Sequence, residues 1–187
     1  MENEAITAYR QRRAAFEATF ERHLAAGVVF YSADGILIDD TVEIAPGAVI
    51  LPGTILRGET KIGAGSVIGP NSLLENVTVG ENVKFNASQG YDSVIESGAA
   101  IGPFAHIRPD SRVCENVHIG DFVEIKNSTV GKGTSVSHLT YGAIPTWANT
   151  AILAAAWSPS ITTARPSTAT PSGIMRSSAA IRTWWRP

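Results

Sequence analysis

The stretch from Ile101 to Tyr141 (IGPFAHIRPDSRVCENVHIGDFVEIKNSTVGKGTSVSHLTY) holds the side chains best placed for chemistry. Arg108 and Lys126 are separated by three steps of six, as are His106 and Glu124. If three such steps make one turn of a repeating structure, each pair stacks at about the 4.7–4.9 Å spacing of neighbouring strands. Two cations so stacked repel by about 1–3 kcal/mol at effective dielectrics of about 80 to 20. A solvated basic ridge can splay to relieve that. An anion held between the two turns the repulsion into attraction, and a phosphate suits Arg and Lys together. The same spacing predicts a cross-turn carboxylate–imidazole pair between Glu124 and His106, a surface ion pair rather than a catalytic one. His118 lies two steps of six beyond His106, hence on another face, so the two do not converge on a metal. His138, in SVSHLTY, is a candidate general base near neutral pH if it lies within reach of the cation pair. Tyr141 can offer a hydroxyl to the same ligand.

The elements that must position these groups are legible as a repeat. Ile38, Ile44, Ile50, Leu56, Ile62, Ile68 and Leu74 recur every six residues; Val79 and Phe85 follow a five-residue step. The register resumes at Ile95, Ile101, Ile107, Val113, Ile119 and Ile125, steps by five to Val130 and continues to Val136. A period of six fits neither a helix nor simple alternation; it is the signature of a parallel β-helix of hexapeptides, three to a triangular coil. The aliphatic residue points inward, and Gly or Asn takes the tight corners. Between Phe85 and Ile95 (NASQGYDSV) the pattern breaks, which predicts a bulged or looped coil. Upstream, residues 2–26 form an amphipathic helix with Ile6, Tyr9, Phe16, Phe20 and Leu24 on its apolar face, ended by Gly27. A stack of coils cannot close its own ends. The helix caps one, and no hexads follow Val136 to close the other.

Composition sets the bounds. At 187 residues and 44% hydrophobic, with mean hydropathy near zero, the chain suits a soluble globular domain. A net charge of −2 gives no electrostatic case for nucleic-acid or membrane partners. The single cysteine, Cys114, fits a reducing, cytoplasmic setting. The acidic start MENEA is no secretory signal, and no apolar run reaches the ~18 residues of a membrane span. The charges divide sharply, however. All 17 acidic residues precede Gly142, giving the stretch through Tyr141 a formal −6, whereas only four arginines follow, +4. All four tryptophans and five of ten prolines fall after Tyr141.

The run GPFAHIRPD, followed by VHIGDFVEIKNSTVGKGTSVSHLTY, closely resembles the acetyltransferase domain of the bifunctional GlmU family. That family combines N-acetylglucosamine-1-phosphate uridyltransferase with glucosamine-1-phosphate N-acetyltransferase. The upstream helix and AGVVFYSADGILIDD resemble the family's linker helix and the start of its left-handed β-helix, so the likeness covers residues 5–141. It implies an all-β fold, a left-handed parallel β-helix with one N-terminal α-helix, assembling as a homotrimer with active sites between subunits. It implies acetyl transfer from acetyl-CoA to the 2-amino group of glucosamine 1-phosphate, on the route to UDP-N-acetylglucosamine and with no metal required. Arg108 and Lys126 would then bind the sugar phosphate, Tyr141 would contact it, and His138 would take the amine proton. The family's nucleotidyltransferase domain does not precede the helix here, so uridyl transfer is not expected of this chain.

The tail from 142 to 187 carries no hexads. With each codon started one base earlier, AIPTWANTAILAAAWSPSITT permits GDSDVGEYCNLGCGVVTVNYD, and the remainder permits GEAKYRNTIGDHAFIGCNTNLVAP. These restored segments resemble the family's next coils. The sequence thus predicts a one-base shift after Tyr141 and three regions: a linker-like helix (1–27), a truncated β-helix (28–141) and an out-of-frame, disordered tail (142–187). Two rival readings follow. One is an acyltransferase of the same fold with another acceptor. The other is an inactive scaffold, because in the family the later coils supply much of the acetyl-CoA site. A zinc-dependent carbonic anhydrase on a β-helix is excluded for want of converging histidines.

Overall fold

The computed structural model describes residues 3–143, 146–147 and 152–153. The chain winds as a parallel β-solenoid of two- and three-residue strands on three sheets, one of eight strands and two of seven. The first sheet begins with Val29–Phe30, the second with Leu37–Ile38 and the third with Glu43–Ile44. Each strand pairs in parallel only with the strands one coil before and one coil after it, as the period of six requires. The inward residues form a single core: Ile50, Leu56, Ile68, Leu74, Ile95, Ile107, Ile119 and Ile125 are all fully buried.

A second inward row consists of small hydroxyl residues, among them Thr54, Thr60, Ser66, Ser111, Ser128 and Thr134, each at most 3% exposed. Their hydroxyls complete the corner hydrogen bonding. Ser66 Oγ donates to the Gly80 carbonyl at 2.8 Å and accepts from the Val83 amide at 3.0 Å. Leaving such buried hydroxyls without partners would cost free energy.

The break at NASQGYDSV is not a loop. Gln89–Tyr91 forms a regular strand of the second sheet, paired with Leu73–Glu75 below and with His106–Ile107 above. The steps from Phe85 to Gly90 and from Gly90 to Ile95 are both five, so the coil is short rather than bulged. Gly90 holds the inward position, in register with Leu74 and Ile107. A Cβ there would lie 2.9 Å from Leu74 Cδ2 and 3.6 Å from Phe85 Cζ. The ring of Phe85, fully buried, thus fills the room a larger residue at 90 would take.

The N-terminal helix α1 spans Glu4–Ala25, and the Asn3 side chain caps it by accepting from the Ala5 amide at 2.9 Å. Gly27 adopts φ +90°, a left-handed conformation that glycine reaches without steric cost. The amides of Gly27 and Val28 return to the carbonyls of Leu24 and His23, both at 3.0 Å. This link joins the last helical turn to the first coil, and the helix buries a face different from the one expected. Only Phe16 and Phe20 of the predicted stripe pack inward, through Phe20 and Phe30 rings 4.3 Å apart. Ile6, Tyr9 and Leu24 stay 46–58% exposed, whereas Thr19 and His23 are buried.

The stack also continues beyond Tyr141, the expected boundary. Tyr141–Gly142 pairs with Glu124–Ile125, Thr146–Trp147 with Thr129–Val130, and Ile152–Leu153 with Ser135–Val136. The rest of the predicted out-of-frame tail lies outside the described residues.

Candidate functional site on the second sheet

The outward face of the second sheet changes character along the stack. Its positions just before the inward residue run Leu37, Ile55, Leu73, Gln89, His106, Glu124 and Tyr141. The early coils present aliphatic groups there and the later coils polar ones. Arg108 and Lys126 follow the inward Ile107 and Ile125, which are paired in register; their amides donate to Ile125 O (2.9 Å) and Gly142 O (2.8 Å). The two cations therefore stand one coil apart, as their spacing predicts.

The anticipated Glu124–His106 ion pair does not form, although the two residues are register partners. Glu124 Oε1 instead accepts from Arg108 Nη1 at 2.8 Å, with the two side chains 35% and 38% exposed. A guanidinium is always charged and reaches diagonally across the coil, so it outcompetes an imidazole for the carboxylate. Glu124 then offsets the repulsion between Arg108 and Lys126. Exposed pairs of this kind contribute only ~0–1 kcal/mol, so a dianion can displace the carboxylate at little cost. His106 turns its ring edge-on to Tyr91, with centroids 5.6 Å apart, and Tyr91 Oη donates to Gln89 Oε1 at 3.3 Å.

His138 occupies the corner between the first and second sheets, directly above Gly120. A Cβ on Gly120 would sit 3.2 Å from the His138 amide nitrogen, so glycine permits this close approach. The Leu139 amide donates to Asp121 O at 3.0 Å, and Thr140 Oγ1 donates to the carbonyls of Ser137 and His138. These bonds fix the corner backbone, while the His138 side chain is exposed and forms no hydrogen bond with another described residue. Tyr141 is 62% exposed. The structure thus sets Glu124, Arg108, Lys126 and Tyr141 together on one face, with His138 at its edge. No described hydrogen bond joins His138 to either cation. His118 lies on the first sheet, and no metal-competent group of three or more His, Cys, Asp or Glu occurs among the described residues.

One feature of this corner escaped the sequence reading. Phe104, Phe122 and Leu139 occupy it on successive coils, with φ of 59°, 56° and 56° and exposures of 59%, 57% and 68%. The two phenyl rings stack at 5.2 Å. Bulky residues in the left-handed region are uncommon and strained by about 1–3 kcal/mol. Their recurrence once per coil, in GPF, GDF and SHL, was the available signal.

Comparison with known proteins agrees with this geometry. The family described as bacterial transferase hexapeptide (six repeats) matches residues 41–76 and 92–127. The matched segments are hexapeptide repeats, in agreement with the parallel solenoid. Over 119 residues the chain is 48% identical to the bifunctional protein GlmU of Streptococcus thermophilus, covering 64% of this chain and 26% of that protein. Against the GlmU of Trichormus variabilis it is 47% identical over 121 residues, 65% of this chain and 27% of that one. The chain spans about a quarter of the length of these relatives. A solved UDP-N-acetylglucosamine acyltransferase from Francisella novicida is 11% identical with a TM-score of 0.36, over 63% of each chain, too slight a likeness to bear on the site. No described helix is long and apolar enough to cross a membrane.

Proposed function

We propose that this chain carries the acceptor half of an acetyltransferase site, for transfer from acetyl-CoA to the 2-amino group of glucosamine 1-phosphate. The observation that carries the reading is the Arg108–Lys126 pair, stacked one coil apart on the polar part of the second sheet of a chain 48% identical to a GlmU over 119 residues. Arg108 and Lys126 hold the phosphate, displacing Glu124, and Tyr141 adds a hydroxyl. The neutral amine attacks the thioester carbon, forming the C–N bond, and His138 accepts the ammonium proton. Collapse of the tetrahedral intermediate breaks the C–S bond, and the thiolate leaves as CoA after protonation. A donor to the intermediate's oxyanion is also needed; this chain's residues for that role are not assigned. The exposed Phe104–Phe122–Leu139 ridge supports a homotrimer in which this corner meets a neighbouring subunit. A cytoplasmic setting fits the lone cysteine.

A second reading, favoured by the abrupt loss of acidic residues after position 141, is a scaffold that binds acceptor without turnover because the acetyl-CoA half is out of frame. Calorimetry with glucosamine 1-phosphate and a thiol-release assay separate the two, run on this chain and on a frame-restored version. Turnover by this chain establishes the first reading. Acceptor binding by both forms with turnover only after restoration establishes the scaffold. Absence of acceptor binding in both sinks the site assignment, and turnover with serine or sugar-nucleotide acceptors instead redirects it to another acyltransferase. Resequencing across codon 141 tests the shift itself.

A further inference from the structure

We infer that the cavity beneath α1 is a separate anion site, suited to a small hydroxyl-bearing phosphomonoester. It measures about 410 Å³ and lies between α1 and the second-sheet side of the first coils, lined by Arg12 and Phe16 from the helix and by Leu37, Asp39, Asp40 and Arg57. That volume is within the ~300–1,000 Å³ range of small-molecule sites.

The behaviour of Arg57 singles this cavity out. Arg57 stands in a column between two carboxylates: it is the register partner of Glu75, and Asp39 lies one coil below, its amide bonded to Leu56 O. The same relation on the third sheet yields an ion pair, Lys61 Nζ to Glu43 Oε1 at 3.0 Å. Arg112, whose register partner is Val94, pairs diagonally with Glu96 from the coil below. Arg57 pairs with neither carboxylate neighbour and lines the cavity instead. Arg12 meets it there from the helix, and among the described residues neither guanidinium has an ion-pair partner. Asp39 Oδ2 is already engaged by the Gly58 amide at 3.1 Å, and the Asp40 carbonyl by Arg22 Nη2 at 2.9 Å.

Two arginines lining one cavity, neither in an ion pair with a described residue, would supply donors of the kind that phosphate oxygens accept. Phe16 and the half-exposed Leu37 give a ring a flat apolar wall. The carboxylate oxygens of Asp39 and Asp40 would repel a bare polyanion but accept from hydroxyl groups, which selects a phosphorylated sugar-sized molecule over a dicarboxylate. The site lies at the helix end of the stack, on the same sheet as Arg108 and Lys126 but several coils before them, and does not rest on the acetyltransferase reading.

The test is an amide-resolved titration of the intact chain with glucose 6-phosphate, following Ala15, Phe16 and Gly58. Saturable shifts at those amides in the millimolar range are expected. Arg12→Gln and Arg57→Gln, both at exposed positions, should each weaken them by about tenfold or more, and Arg108→Gln should leave them unchanged. No saturable shift at these amides, shifts that survive the Arg12→Gln/Arg57→Gln double variant, or succinate binding as tightly as the sugar phosphate would each overturn the assignment. The remaining spectrum reports whether each variant is folded.

Discussion

The pairing of Phe85 with Gly90 permits a quantitative test of how the short coil is packed. Phe85 is fully buried, and Phe→Ala at such a site costs about 3–5 kcal/mol, part transfer and part cavity. At Gly90 an added methyl would lie 2.9 Å from Leu74 Cδ2, the tip of a side chain that could rotate away if it had room. With Phe85 in place it has little, because the ring's Cζ lies 3.6 Å from the same methyl. Gly90→Ala should therefore lose about 1–3 kcal/mol to overpacking, less about 0.5–1 kcal/mol recovered by restricting the unfolded chain. Once Phe85 is alanine, Leu74 can swing into the vacated volume and the strain disappears. The double variant should then be more stable than the sum of the singles by about 1–2 kcal/mol. Urea unfolding of the four proteins measures this coupling directly, with unchanged slopes as the control that the unfolded states match. Additivity within about 0.5 kcal/mol would refute the shared-volume account.

Other consequences can be checked independently. Arg108→Gln and Lys126→Gln should each weaken glucosamine 1-phosphate binding by about 10- to 100-fold in calorimetry, whereas Glu124→Gln, which frees Arg108, should tighten it by up to about fivefold; weaker binding in the glutamine variant would contradict the displacement step. His23 is buried and its Nε2 has no hydrogen-bond partner among the described residues; burial first, and then the Arg22 charge, pushes its pKa below the usual histidine value. The unfolded chain consequently binds a proton at a pH where the folded chain does not. Stability should fall as pH drops below about 6.5, by at most ~1.4 kcal/mol per pH unit from this group. His23→Gln should flatten that slope in thermal melts, and an unchanged slope would exonerate the imidazole. Phe104→Ser with Phe122→Ser should convert the proposed trimer into monomers in sedimentation velocity, and an unaltered assembly would place the interface elsewhere.

Much of this architecture is legible in the sequence because each inward position is aliphatic and the spacing is nearly constant. Gly90 was missed for the complementary reason: a residue without a side chain leaves no hydrophobic mark, and its coil looked interrupted although its backbone pairing is regular. The helix face differs from the apolar spacing because the buried positions include Thr19 and His23, which carry no hydrophobic mark in the sequence. At the candidate site, the column spacing predicts the one-coil separation of Arg108 and Lys126 that the strand register shows. Stacking alone could not decide whether Glu124 would choose the imidazole in its own column or the guanidinium diagonal to it. The exposed ridge was overlooked because corners with positive φ are ordinarily read as glycine or asparagine.

The constant offset of strand partners, one coil and no more, has a consequence for how the molecule is made. Closing a loop of about 10 residues takes roughly 10–100 ns, whereas synthesis at about 5–20 residues per second needs about a second or longer per coil. Each coil has time to settle on its predecessor before the next leaves the ribosome, with α1 already available to cover the first. Arg108, Glu124 and Lys126 all precede position 142 in the chain, whereas the strand that pairs with Glu124 and Ile125 ends at Gly142. A change of reading frame after Tyr141 would therefore alter the coils that cover the clamp and leave the residues that compose it unchanged.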